Sequence, residues 1–259
     1  VRNVGTKTTK YPVSTARPKA NFILTEGDPI TPDNTKAGAL KNLEVEVIAV
    51  IVNVTLQLLE DGEYNVAADL IRDMVEAINE RADFAFFQGN GTVDGDNGGF
   101  TGLFNTGTAV VADAGATVGA TKYTDWLKCL TAVAPAVLMR NPKWWINPTI
   151  LAASLGVKDD NGRPIFLTAT EAPTLGGIGS ILGFGVNLVG AAPNTDAASQ
   201  KVAAFGDPQN YIVAARKTVG VDESDHAYWT ELKRSFRGHT RMAGRSLLDS
   251  GTAVLSTSA

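Results

Sequence analysis

The spacing of apolar and polar positions divides the chain into a weakly patterned start, one long helix and a succession of short strands. Residues 1–40 carry little periodicity. Tyr11-Pro12 and Arg17-Pro18 favour extended backbone before each proline. Glu26-Gly27-Asp28-Pro29 and Thr31-Pro32-Asp33-Asn34 read as turns. Such a segment has few anchors of its own; it reads either as an arm that gains its contacts across a neighbour in an assembly or as a flexible N-terminal region. The character changes at Leu43. Leu43, Val45, Val47, Ala49, Ile51 and Val54 predict a strand reaching Thr55. Glu44 and Glu46 give its early part a wet face. Ile48 to Val52 is apolar on both faces and predicts deeper cover.

The clearest element follows. The run from Tyr64 to Phe87 contains neither Pro nor Gly. Ala67, Leu70, Ile71, Met74, Ile78, Ala82 and Ala85 recur at three or four residues, which lays them along one helical face. Asp61 or Asn65 supplies a cap, and Glu63 places an acid near the positive end. Arg72 and Glu76 stand one turn apart and are expected to pair. At 1.5 Å per residue the run spans roughly 36 Å, far beyond the usual length of about 11 residues. A helix of that length acts as a stiff spine. Gly89 is placed to end it. The Asp94–Gly99 segment lacks the ligand spacing and closing glutamate of a calcium loop and reads as a solvated turn.

A second helix is predicted from Thr121 through Trp126, Leu127, Leu130 and Val133, capped by Thr121 or Thr124 and ended or kinked at Pro135. Strands are predicted at Lys143–Asn147, Phe184–Val189, Val202–Phe205 and Tyr211–Ala215, with a short helix at Ile150–Leu155 and an extended piece at Pro164–Leu167. Helices and strands mixed without regular βαβ spacing indicate an α+β fold.

Composition narrows the function. The 259 residues are 44% hydrophobic and 19% charged, which fits a folded chain. With 23 basic and 27 acidic residues the net charge is −4, so no global basic footprint of a nucleic-acid reader exists. No apolar run is long enough to predict a membrane span. The start, Val1-Arg2-Asn3, is neither a signal peptide nor an initiator methionine, as in a processed chain or one that begins further upstream. Cys129 is the one cysteine, so no intrachain disulfide forms. It has no histidine near in sequence and reads as a buried thiol.

Catalytic signatures are lacking. His226 and His239 belong to no His-Glu-x-x-His motif, and Asp222, Glu223, Asp225 and His226 lack metal-ligand spacing. Ser224 has no nucleophile-elbow context. The glycines from Gly176 to Gly183 fit neither a dinucleotide fingerprint nor a P-loop. No catalytic, metal or cofactor-binding residue is assigned, no cofactor is expected, and the chain is read as a non-enzyme. The most distinctive polar feature is Lys233, Arg234, Arg237, His239, Arg241 and Arg245. In a strand, Arg237, His239, Arg241 and Arg245 share a face. In a helix, Arg234, Arg237, Arg241 and Arg245 form a stripe. Either geometry concentrates positive charge. It can pair with acids on the long helix or a neighbour, touch packaged nucleic acid, or stand as a solvated face.

The order of elements is similar to that of a known family. The matching pieces are Leu58-Leu59-Glu60-Asp61, the long helix, Arg81-Ala82-Asp83-Phe84-Ala85-Phe86-Phe87-Gln88-Gly89-Asn90-Gly91, and Gly102-Leu103-Phe104-Asn105. Later pieces are Ala204-Phe205-Gly206-Asp207, Tyr211-Ile212-Val213 with Arg216, and Arg241 to Arg245 with Asp249-Ser250-Gly251-Thr252-Ala253-Val254. The sequence resembles the phage major capsid proteins with the HK97 fold. That resemblance implies an α+β, HK97-like capsid fold with an extended loop, a long spine helix, a peripheral domain and an axial domain. Residues 1–45 would supply the extended segment and loop, and 46–119 the first part of the peripheral domain with the spine. Residues 120–225 would form the axial domain, and 226–259 the return strands of the peripheral domain.

The implied function is a structural subunit that self-assembles into hexamers and pentamers of an icosahedral shell around double-stranded DNA. The implied partners are identical subunits, portal, scaffolding or decoration proteins, and DNA by non-specific contact, with no membrane. The implied place is the virion capsid, assembled in the host cytoplasm. Some members crosslink through a lysine and an asparagine. Lys36 and Lys41 lie in or near the extended loop, but neither matches a crosslinking position, so ordinary interface burial is expected. An encapsulin shell enclosing protein cargo is the alternative, and a soluble α+β enzyme the third reading.

Overall fold

Two sheets and one long helix organise the chain. The computed structural model describes residues 2–14, 38–62, 65–95, 97–113, 115–168 and 179–259. The turns expected within 15–37, Lys36, and Glu63 as a helix-end acid lie outside the described residues.

The long helix is α2, Val66–Gln88, of 23 residues. Asn65 caps it, its side chain accepting from the Ala68 N–H at 3.1 Å. Met74, Ile78, Ala82 and Ala85 form its buried face, as their spacing requires. Arg72 pairs with Asp69 rather than Glu76. Helical side chains lean toward the N-terminus, which brings the guanidinium over the preceding turn. Gly89 ends the helix. A Cβ there would lie 2.4 Å from the Ala85 carbonyl oxygen and 2.5 Å from that of Phe100.

The helix packs on a four-stranded sheet. Its strands are β1 (Arg2–Asn3), β4 (Glu46–Thr55), β11 (Tyr211–Tyr228) and β12 (Lys233–Ser246), in the order β1-β11-β12-β4. Gly238 of β12 lets the helix approach closely, because a Cβ there would stand 3.0 Å from Ile78 Cδ1. Along β4 the burial alternates. Val54 is buried and Ile48, Val50 and Val52 half-buried, whereas Val47 is 58% and Ile51 62% exposed. The expectation of cover on both faces of Ile48–Val52 therefore fails. The strand is at the sheet edge, and the helix covers one face only.

The second sheet has seven strands in the order β5-β13-β10-β6-β9-β8-β7. These are β5 (Thr108–Val111), β6 (Lys143–Ile146), β7 (Phe166–Thr168), β8 (Gly179–Ile181), β9 (Phe184–Leu188), β10 (Lys201–Gly206) and β13 (Thr252–Ser256). Helices α3 (Tyr123–Ala132), α4 (Pro135–Leu138) and α5 (Pro148–Ser154) belong to this part of the chain. Trp126, Trp144 and Phe205 are fully buried, the Trp144 ring lying 5.3 Å from that of Trp126 and 4.6 Å from that of Phe205, centroid to centroid. The Trp144 indole donates to the Ile181 carbonyl at 3.2 Å. Cys129 is buried beside them, and burial pushes its thiol up to about 12.

Asp125, rather than Thr121 or Thr124, closes the start of α3. Its carboxylate accepts from the backbone N–H groups of Lys122 and Asp113, each at 3.0 Å, and from Lys128 at 3.2 Å. Burial alone would raise this carboxyl. The two N–H groups and the ammonium outweigh it and hold Asp125 below the usual carboxylate range. Thr121 instead donates to the Val118 carbonyl and accepts from the Trp126 indole. Pro135 opens α4 rather than bending α3.

Strand pairing crosses the division drawn from sequence at 225/226. The strand expected at Tyr211–Ala215 continues to Tyr228 and pairs with β12, which places it in the four-stranded sheet. Conversely, β13 joins β10 and β5 in the seven-stranded sheet.

Candidate functional site

Three features project from this frame, and they are the surfaces on which the chain can act. The first is a two-stranded ribbon, β2 (Thr8–Ser14) against β3 (Gly38–Glu44). Its base is fixed. Val4, Leu43 and Val45 pack on Ile212, Ala214 and Ala243. The Val45 N–H donates to the Lys7 carbonyl at 2.9 Å, and the Arg245 guanidinium to the Asn42 carbonyl at 2.8 Å. Lys41 pairs with Asp249 at 3.3 Å. Beyond this base the ribbon is largely exposed, with Leu40 at 64%.

The second is the distal half of the β11–β12 hairpin. Register shifts after Ala215 and Lys217 mark bulges, which bend and twist a strand. Past them every residue from Asp222 to Leu232 is exposed. Ion pairs across the strands and at the turn hold this arm. Arg237 bonds Asp222 at 2.9 Å, Arg234 bonds Asp225 at 2.5 Å, and Lys233 bonds Glu231 at 2.6 Å. The Arg237 bond holds the Asp222 carboxyl below its usual range. At the tip, Trp229 and Leu232 are exposed, and Leu232 takes a left-handed φ of 49°. Its carbonyl accepts from the Leu56 N–H at 2.9 Å. That bond joins the tip to the short helix α1, Leu56–Asp61, whose Leu58 is also exposed. Four large apolar side chains, Leu58, Tyr228, Trp229 and Leu232, thus stand uncovered at one end of the molecule. The third surface is the bare face of β4, with Val47, Ala49 and Ile51.

The basic stripe is a strand. Arg237, His239 and Arg241 lie in register with Ile51, Ala49 and Val47 of β4. Sequence reasoning sought its acids on the long helix or a neighbour. The structure supplies them from β11, and the signal was legible. Asp222 and Asp225 stand as far before the turn as Arg237 and Arg234 stand after it. His239 is 2.7 Å from the Lys217 ammonium and 3.5 Å from Asp222. Arg241 Nε is buried with no acceptor among the described residues.

Among the described residues no group of three His, Cys, Asp or Glu side chains could hold a metal ion. Asp222 and Asp225 are engaged by arginines, the His226 ring stacks near Trp229, and Ser224 accepts from the His226 N–H. Asn53 lies in β4, and its side-chain oxygen accepts from the Ser235 hydroxyl at 2.8 Å. No helix among the described residues is long and apolar enough to cross a membrane.

Comparison with known proteins follows the same lines. The family model described as "Phage capsid family" matches residues 1–256. The capsid of a native GTA particle superposes with a TM-score of 0.80 at 18% identity, covering 99% of this chain and 87% of that one. A structure from Mycobacterium phage Bobi gives 0.71 at 18%, covering 99% and 87%. One from Mycobacterium phage Adephagia gives 0.68 at 19%, covering 100% and 87%. These likenesses establish the HK97-like fold. No curated protein sequence matches.

Proposed function

The chain belongs to the phage capsid family, and from that premise we propose that it is the structural subunit of a closed icosahedral shell. The observation that carries this reading is the pairing of a well-buried core with projections that stand exposed among the described residues. The ribbon, the hairpin tip and the bare β4 face become stable contacts against identical copies. Internal ion pairing along the hairpin arm favours such contacts. It leaves little unpaired charge to make identical tips repel.

In this reading the seven-stranded sheet is the axial part and meets its counterparts at the centres of hexamers and pentamers. The four-stranded sheet with α2 is the peripheral part. The ribbon is the extended loop and lies on a neighbour. The shell forms in the host cytoplasm, encloses double-stranded DNA and remains in the virion. The chain acts by geometry, not catalysis. Portal, scaffolding or decoration proteins are its other partners.

Electron microscopy of particles purified from cells expressing the chain, with their nucleic acid measured, tests the reading. Closed shells of uniform size are expected, with DNA inside when the shells come from infected cells. A chain that stays monomeric at high concentration would overturn the shell. Shells that hold a defined protein and no DNA would replace the genome with an encapsulin-type cargo.

A further inference from the structure

A groove opens where the end of α2 meets the seven-stranded sheet. Its volume is about 650 Å³, in the range of sites that bury a ligand or a few side chains. The helix contributes Glu80, Asp83, Phe84 and Phe87, and the other wall comes from Leu188 and Val189 with the small Gly190 and Ala191. The helical spacing explains the mixture. Positions 80, 83, 84 and 87 follow the i, i+3, i+4, i+7 pattern of one face, away from the buried Met74, Ile78, Ala82 and Ala85. The helix therefore has a second stripe, apolar at its floor and acidic at its rim. The far wall is fixed, since Gln88 donates to the Ala191 carbonyl at 2.7 Å. Among the described residues that line the groove there is no lysine or arginine, and the nearest cation on the helix, Arg81, holds its guanidinium 5.8 Å from the centre of the Phe84 ring. Partial burial holds the Asp83 carboxyl above its usual range, as expected of an acid at an apolar edge.

We propose that this groove docks a basic amphipathic segment of a second protein, its apolar side chains on Phe84, Phe87, Leu188 and Val189 and its cations on Glu80 and Asp83. The charge chooses the occupant. Nucleic acid is excluded by the two carboxylates, and a purely apolar segment would leave them beside uncharged groups at a desolvation cost. A lysine- or arginine-bearing helix or strand satisfies floor and rim together. All the lining residues come from a single chain.

The test uses the full-length chain and a short fluorescent helical peptide of leucine and lysine, with a leucine–glutamate peptide of the same pattern as comparison. Fluorescence anisotropy is expected to show saturable binding of one leucine–lysine peptide per chain, weakened by salt. The leucine–glutamate peptide should not bind. Glu80→Gln with Asp83→Gln should weaken binding about tenfold or more. Asp69→Asn with Asp73→Asn changes the net charge equally on the same helix outside the groove and should leave it unchanged. Ala191→Trp fills the groove without removing a contact and should abolish binding, with circular dichroism confirming the fold. Equal weakening by both neutralised pairs, or unaltered binding to the Ala191→Trp variant, would overturn the proposal. So would the finding that Ala191→Trp prevents particle formation and that assembled wild-type chain no longer takes the peptide, because a second copy would then be the occupant.

Discussion

Tryptophan has opposite fates in the two halves of this molecule. In the seven-stranded sheet region, Trp126 and Trp144 are fully buried and hydrogen-bonded through their indole N–H groups. At the end of the β11–β12 hairpin, Trp229 is 72% exposed, with Leu232 66% and Leu58 52% exposed beside it. A large aromatic covered by its own chain reports a finished core. A cluster of them held out to solvent marks a contact surface. One half covers its large apolar side chains itself, and the other leaves several of them in solvent.

The largest effect should come from the finished half. Trp144→Ala removes a ring packed between Trp126 and Phe205 and is expected to cost about 3–5 kcal/mol in urea denaturation of the unassembled chain. A cost near zero would erase the contrast. Asp125→Ala should cost about 1–3 kcal/mol, because the N–H groups of Asp113 and Lys122 lose their acceptor. Its pH dependence follows from the lowered carboxyl. The stabilisation is present above the unfolded pKa and is lost as pH falls through the folded one. The gap between wild type and Asp125→Asn should therefore close on acidification, and a gap that widens would contradict the assigned bonds.

The other half should answer differently. Trp229→Ser with Leu232→Ser is expected to shift the unfolding free energy by less than about 0.5 kcal/mol, while particle yield collapses in sucrose gradients. A large loss of monomer stability with normal particles would reverse the roles of the two halves. Smallest of all, Arg237→Ala breaks an exposed pair with Asp222 and should leave the urea midpoint unchanged within error.

The same division separates what the sequence revealed from what it concealed. The spine was legible to within a residue or two, because an uninterrupted period and a capping asparagine are local signals. The short strands around Trp144, Val186 and Val202 were legible from their apolar runs. The cover over β4 was misjudged, since Val47 and Ile51 look like core residues until the sheet shows which face lacks a partner. The length of β11 was missed because Thr218 to Tyr228 carries polar and acidic side chains that pair with β12 rather than enter a core. The groove beside α2 was only half legible. Its helical face can be read from the spacing, but the opposing wall lies about a hundred residues away.

The position of β13 bears on when the protein can mature on the ribosome. Its partners β10 and β5 are made first, and the whole β11–β12 hairpin is translated before Thr252 appears. About 140 residues separate β5 from the strand that zips it to the rest. At roughly 5–20 residues per second, the nascent sheet waits on the order of 10–30 s for its missing member. The exposed hairpin of the four-stranded sheet therefore emerges before the seven-stranded sheet can close.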